Sequence, residues 1–315
     1  MSKERFDSQK IAVIGSSGFV GSYLTSLLKK DGLNVISMVR NLSSESLVSS
    51  TIEIGDVLSG KKYEGVFDEI TTVVYTVART HRGNEEGSNF EQIYNEINCH
   101  AMIRVAKAAH RQGVKRFIFL SSLKALGEQT SSGLPFYYNS APKPSGSYGT
   151  SKLLAENELI KLGRSIGLEV VIIRPPLIHG PGVKGNLDYL LRAVKLRIPL
   201  PFKRLSLNRR SLVSLENLCS LIKECILNPA AKNQIFMVKD KSDRSTADIV
   251  RMLAKDAGVK PILFPLPGFI LHLAFFLIGK NEMWQRLVSD LRVNDVHTLT
   301  TLGWSPEPML EKSLK

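Results

Sequence analysis

Tyr148 and Lys152 stand four residues apart in Ser147-Tyr148-Gly149-Thr150-Ser151-Lys152, a stretch that reads as the start of a helix. That spacing sets both side chains on one helix face. An ammonium beside a phenol lowers the phenol's pKa by stabilising phenolate. Such a phenol can take the proton of a carbinol, or return it, while a hydride moves to or from a nicotinamide. A serine at a neighbouring strand end would hold the same oxygen, and Ser121-Ser122 closes the apolar run Phe117-Ile118-Phe119-Leu120. A Tyr-x-x-x-Lys pair is common by chance, so its weight comes from the elements that must position it.

The first of these is Lys10-Ile11-Ala12-Val13-Ile14-Gly15-Ser16-Ser17-Gly18-Phe19-Val20-Gly21. Four apolar residues read as a buried strand, a glycine turn follows, and Leu24, Leu27 and Leu28 then give the inner face of a helix. Gly15 permits the tight turn, Gly18 lets a backbone approach a pyrophosphate, and Gly21 lets helix and strand pack closely. The N–H groups opening the helix would face the phosphates.

Further strands are expected at Asn34–Val39, Thr51–Ile54, Thr72–Thr76, Arg116–Ser121 and Leu168–Ile173, with a long helix over Phe90–Arg111 that contains Asn98. Alternating strands and helices predict an α/β fold with a doubly wound parallel sheet. Its ligands lie beyond the carboxyl ends of the strands, where Gly15, Asp56, Ala78, Ser122 and Pro175 all fall. After the second strand the position that takes ribose hydroxyls as an acid is Val39, followed by Arg40; this leans towards NADP over NAD. Asp56 is placed to accept from an adenine amino group. Gly127–Ser147, rich in Ser, Gly, Pro and Asn, reads as an active-site loop.

Beyond Gly180 the alternation weakens: helix Leu187–Leu196, a basic stretch, helix Leu215–Leu227 and strand Gln234–Val238 precede a helix-rich end. The expected division is a dinucleotide-binding (Rossmann) domain over 1–179, with 205–240 returning to it, and a smaller substrate lobe from 180–204 and 241–315. The chain of 315 residues is 43% hydrophobic, enough for a sizeable core, and carries a net charge of +13. Eight basic residues against one acid lie between Lys184 and Arg210. Such a patch attracts phosphates; with no aromatic interleaving, nucleic acid is not the partner expected. Cys99, Cys219 and Cys225 are too scattered for a disulfide frame or a metal site and read as core residues in a reducing, cytoplasmic setting. The polar N-terminus suggests no signal peptide. The apolar run Phe269–Ile278 is too short to span a bilayer. It reads as a buried or subunit-contact helix, with an interfacial membrane helix as the less favoured alternative.

The glycine turn, Asp56, Asn98, Ser121-Ser122, Tyr148/Lys152 and Arg174-Pro175-Pro176 occur in the order of a known family. Over nearly its whole length the chain resembles an extended short-chain dehydrogenase/reductase of the NAD-dependent epimerase/dehydratase family, in the branch acting on nucleotide sugars. The resemblance implies Ser122, Tyr148 and Lys152 as the catalytic set. Gly15, Ser17, Gly18, Phe19, Val20, Gly21, Arg40, Asp56, Val57, Ala78 and Pro175 would join Tyr148 and Lys152 in holding NAD or NADP. Asn186, Leu187 and Arg210, with Ser122, would meet the substrate; the Arg210 guanidinium suits a diphosphate. It also implies a homodimer. A UDP-hexose or UDP-N-acetylhexosamine 4-epimerase is expected, with an NADPH-dependent 4-ketoreductase of surface-polysaccharide synthesis as the alternative. A dinucleotide-sensing protein ranks behind both, because it has no need of an intact Tyr148/Lys152 pair. A dehydratase needs an acid beside the serine, and Leu123-Lys124 stand there.

Overall fold

The structure is a computed structural model, described here over residues 9–42, 50–59, 63–80, 88–131 and 133–307. In chain order it runs β1 (Lys10–Ile14), α1 (Phe19–Lys30), β2 (Asn34–Val39), β3 (Thr51–Glu53), β4 (Ile70–Tyr75) and α2 (Ser88–Asn95). Then come α3 (Ala101–Arg111), β5 (Arg116–Leu120), α4 (Gly146–Ile166), β6 (Glu169–Arg174), β7 (Leu177–His179), α5 (Asn186–Lys195) and β8 (Leu212–Ser214). The remainder is α6 (Leu215–Leu227), β9 (Ile235–Met237), α7 (Thr246–Asp256), α8 (Gly268–Leu277), α9 (Asn281–Val288) and α10 (Val296–Leu302).

Seven strands form one parallel sheet in the order β3-β2-β1-β4-β5-β6-β9, the doubly wound arrangement expected from the alternation. A parallel sheet must be covered on both faces. Leu24 and Leu28 of α1 with Leu218, Leu221 and Ile222 of α6 cover one. Met102 and Val105 of α3 with Ala155 and Leu159 of α4 cover the other. The strand β9 returns to the sheet edge beside β6, and α10 packs there too, with Trp304 Nε1 donating to Ser220 Oγ at 3.1 Å. The strands β7 and β8 form a separate parallel pair. A smaller apolar cluster, containing Val194, Phe202, Leu271, Trp284 and Leu287, unites α5, α8 and α9.

Strand ends shift by one or two residues from the sequence reading, and α6 falls on its expected span. The expected helix over Phe90–Arg111 departs more. It begins at Ser88 and is broken by a π turn, Glu96–His100, between α2 and α3. The turn holds Asn98, which is fully buried and has its side chain bonded outside the helix; single π turns recur where a helix must re-aim such a group. A second correction concerns Phe269–Ile278. It forms α8 but is not a buried helix of this chain: Leu271 is buried, whereas Phe269, Leu273, Phe276 and Leu277 are 56–74% exposed. Among the described residues no helix is long and apolar enough to cross a membrane. The three cysteines are buried and unpaired.

Candidate active site

The turn after β1 is shaped by backbone contact. Gly15 has φ +86°, a conformation that disfavours any side chain, and its carbonyl accepts the Gly18 N–H at 2.9 Å. A Cβ on Gly21 would lie 2.2 Å from the Gly15 oxygen, so only glycine lets α1 approach the strand this closely. The Thr76 hydroxyl donates to the Ile14 carbonyl at 2.8 Å and ties the end of β4 to the same turn. Ser17 and Gly18 are exposed, and α1 starts with no side-chain cap. This helix start, with no side chain bonded to its N–H groups, fits the pyrophosphate of a dinucleotide. Phe19 and Ala78 are half-buried beside the turn, while the Val20 and Val57 side chains are buried in the cores. Arg40 is exposed at the end of β2. Asp56 is exposed after β3 and accepts the Leu58 N–H at 2.9 Å, so it also closes its own turn. The buried Pro175 follows β6, and its carbonyl accepts from Leu123 N at 2.9 Å.

The strand β5 delivers the two serines in opposite directions. The Ser121 side chain is buried and donates to Glu156, whose carboxylate is also gripped by Arg174 at 2.6–3.1 Å. Ser122 instead caps a short turn, accepting the Lys124 N–H at 3.2 Å, and its hydroxyl influences the Tyr148 phenol. Ser121 is thus claimed by the buried Glu156, whereas Ser122 meets the Tyr148 phenol. A Cβ on Gly149 would meet the Lys124 carbonyl at 2.6 Å, so α4 seats directly on the loop that carries Ser122.

Tyr148 packs edge-on against Tyr94 at 6.3 Å. Burial pushes its phenol up to about 12, and hydrogen bonding from Ser122 pulls the other way. Lys152 is 1% exposed; its Nζ donates to the Leu120 carbonyl at 2.9 Å and lies 4.5 Å from the Phe119 ring centre. Burial lowers this amine to about 7, opposed by the Glu156 charge. The expected depression of the phenol by Lys152 is thus not what the geometry gives. The buried amine turns to a backbone carbonyl, and desolvation of the phenol dominates.

Asn98 positions this set. Its Oδ1 accepts the Arg79 N–H at 2.8 Å, and its Nδ2 donates to the Ser151 hydroxyl at 2.9 Å. Ser151 in turn donates to the Tyr148 carbonyl at 2.9 Å. One side chain thereby joins the loop after β4 to the first turn of α4.

Tyr148 opens into a cavity of about 950 Å³ lined by much of the 124–148 loop and by Glu282, Gln285, Arg286 and Ser289. Much of the loop expected over Gly127–Ser147 lines this cavity. Among the lining charges, which the sequence reading did not place at a site, Lys124 pairs with Glu128 at 2.8 Å, and Arg286 stands 3.9 Å from the same carboxylate. Arg286 also pairs with Glu282 at 3.1 Å, one turn before it on α9, so in sequence it reads as an ordinary surface helix pair. Arg210 lies behind this wall, 7% exposed, its Nη1 donating to the carbonyls of Arg286 at 2.8 Å and Ser289 at 3.2 Å. Burial lowers it to about 10. Asn186 is exposed at the start of α5, and the Leu187 side chain is buried beside Leu212 and Ile249; neither lines this cavity.

The arrangement can hold a carbinol oxygen between two hydroxyls and move its proton through Tyr148. A bound nicotinamide dinucleotide would supply reversible hydride transfer. The Gly15–Gly21 turn and α1 would hold its phosphates, and Lys152, beside its bond to the Leu120 carbonyl, would donate to a hydroxyl.

Comparison with known proteins places these features in a family. The NAD dependent epimerase/dehydratase family model matches residues 11–238. A UDP-glucose 4-epimerase of Vibrio cholerae is 40% identical over 308 residues, covering 98% of this chain and 94% of that one. An N-acetyl-alpha-D-glucosaminyl-diphospho-ditrans,octacis-undecaprenol 4-epimerase of Escherichia coli O157:H7 is 26% identical, covering 91% and 85%. A UDP-glucuronic acid 4-epimerase of Bacillus cereus, solved in complex with NAD, shares the fold with a TM-score of 0.76 at 19% identity, over 97% and 94% of the two chains. From its glycine turn to the strand that closes the sheet, the chain belongs to the NAD dependent epimerase/dehydratase family.

Proposed function

We propose that this chain is an NAD(P)-dependent 4-epimerase of a nucleotide-diphosphate sugar, most specifically a UDP-hexose or UDP-N-acetylhexosamine. The observation that carries the reading is the contact of Ser122 with Tyr148, whose side chain lines the cavity, in a chain 40% identical to the V. cholerae UDP-glucose 4-epimerase. In this reading Tyr148 moves the proton of the sugar's C4 hydroxyl, Ser122 holds that oxygen, and Lys152 orients the cofactor ribose. The dinucleotide would lie on the 1–179 half, completed by β9, and the sugar nucleotide would enter from the side of α9. Arg210 supports the diphosphate subsite by holding the end of α9, where Gln285 and Arg286 line the cavity. Exposed Arg40 after β2 supports acceptance of a 2′-phosphate. The site residues, the homodimer and the cytoplasmic setting belong to this proposal.

The substrate of the E. coli relative suggests a second reading, in which the diphosphate carries a polyprenol instead of a nucleoside. The apolar α8, joined to the cavity-lining α9, favours it. Purified protein incubated with UDP-glucose, UDP-N-acetylglucosamine and a polyprenyl-diphospho-N-acetylglucosamine separates these readings by product chromatography. Formation of a C4 epimer without net consumption of dinucleotide is the expected result. Stoichiometric consumption of NADPH with a 4-keto sugar, and no epimer, would overturn it.

A further inference from the structure

The helix α8 turns most of its apolar surface outward. Phe269, Leu273 and Phe276 recur at positions i, i+4 and i+7 and form one stripe, each more than half exposed. The stripe ends at exposed Lys280. Beside it, Leu200 N donates to the Ile262 carbonyl at 2.8 Å and Phe264 N to the Leu200 carbonyl at 3.1 Å. This pairing brings exposed Ile198, Ile262 and Phe264 onto the same packing unit as α8, through the cluster of Val194, Phe202, Leu271 and Trp284. His272, the one polar side chain of α8, stacks on Trp284 at 5.7 Å.

Charge on these segments has a single sign. Lys195, Arg197, Lys203, Arg204, Lys260 and Lys280 are all exposed, and residues 195–207 and 257–281 contain no Asp or Glu. We propose that this face is a docking surface for an anionic lipid bilayer, with the α8 stripe entering the headgroup boundary and the surrounding cations meeting lipid phosphates. A helix of 10 residues is too short to span and suits lying in the interface plane. A second copy of the chain is the poorer occupant. A two-fold contact sets each patch against itself, and here six cations would face six cations with no acid on these segments between them. The proposal concerns a surface and is independent of which sugar the site takes.

The test is co-sedimentation of the intact protein with vesicles of phosphatidylcholine alone and of phosphatidylcholine mixed equally with phosphatidylglycerol, without substrate. The parent is expected to pellet with the mixed vesicles and to be released by salt. Leu273→Gln/Phe276→Gln should weaken partition about a hundredfold, as expected for removing two large apolar anchors. Lys203→Glu/Arg204→Glu should weaken it about tenfold and reduce its salt dependence. Thermal unfolding of both variants should match the parent, since all four side chains are exposed. Failure of the parent to bind mixed vesicles would overturn the proposal, as would undiminished binding by the double glutamine variant. So would sedimentation velocity showing a self-associated parent that binds no vesicle and that the glutamine variant dissociates.

Discussion

Replacing Glu156 with glutamine tests whether the buried ion pair between α4 and β6 is as demanding as its geometry implies. Glu156 is 1% exposed and Arg174 is 5% exposed. The carboxylate receives both Nε and Nη2 of Arg174 and the Ser121 hydroxyl. Glutamine keeps the volume and one acceptor oxygen but removes the charge, leaving a guanidinium in the interior with the Tyr138 carbonyl, at 2.8 Å, as its other partner. Breaking a buried pair from one side costs about 3–5 kcal/mol. For a chain of this size that lowers the urea midpoint by about 1 M. The double variant Glu156→Gln/Arg174→Met removes the orphaned charge and should recover part of the loss. Equilibrium unfolding followed by tryptophan fluorescence measures the parent and both variants. A single variant within about 1 kcal/mol of the parent would refute the reasoning. So would a double variant less stable than the single one.

Tyr148→Phe should lower kcat by about 10²–10⁴-fold with dinucleotide affinity retained, because it removes only the phenol oxygen that moves the proton in the proposed reaction; steady-state kinetics and a binding titration check the two halves. Gly21→Ala should abolish dinucleotide binding by titration, since the new methyl would have to displace the Gly15 carbonyl 2.2 Å away. Arg40→Ala should weaken NADP(H) binding more than NAD(H) binding; equal losses in parallel titrations would remove its 2′-phosphate role. Burial holds Lys152 at about 7 in the folded chain against 10.5 for an exposed lysine. The unfolded chain therefore carries the extra proton between those values, and stability rises with pH across that window. Lys152→Met should flatten this rise in urea titrations of the cofactor-free protein.

Elements with marked ends were legible in the sequence. The strand–turn–helix at the N-terminus is punctuated by its glycines, and α6 is bounded by the Ser214 cap and by Asn228-Pro229. Tyr148 and Lys152 were legible because four-residue spacing on a helix fixes their common face. The direction of Ser121 and Ser122 was not, because a strand end can rotate either residue inward until the buried Glu156 is known to claim the first. The charged wall of Lys124, Glu128 and Arg286 was illegible for another reason: it is assembled by tertiary packing from segments more than 150 residues apart. The helix α8 misled because a run apolar on every side has no face to read, so composition alone suggested burial.

The π turn at Glu96–His100 has a consequence for how this chain can change length. It sets the helical phase of α2, which packs on α4, apart from that of α3, which packs on the sheet. Loss of a single residue there would let the two helices fuse into one regular rod with its hydrophobic content nearly intact. Asn98 would then swing about 100° around the axis, away from Arg79 and Ser151. The chain could keep its fold and its glycine turn while the tyrosine's turn of α4 lost its tether. One-residue gaps in this helix are therefore a place where relatives can diverge in chemistry with little visible change in architecture.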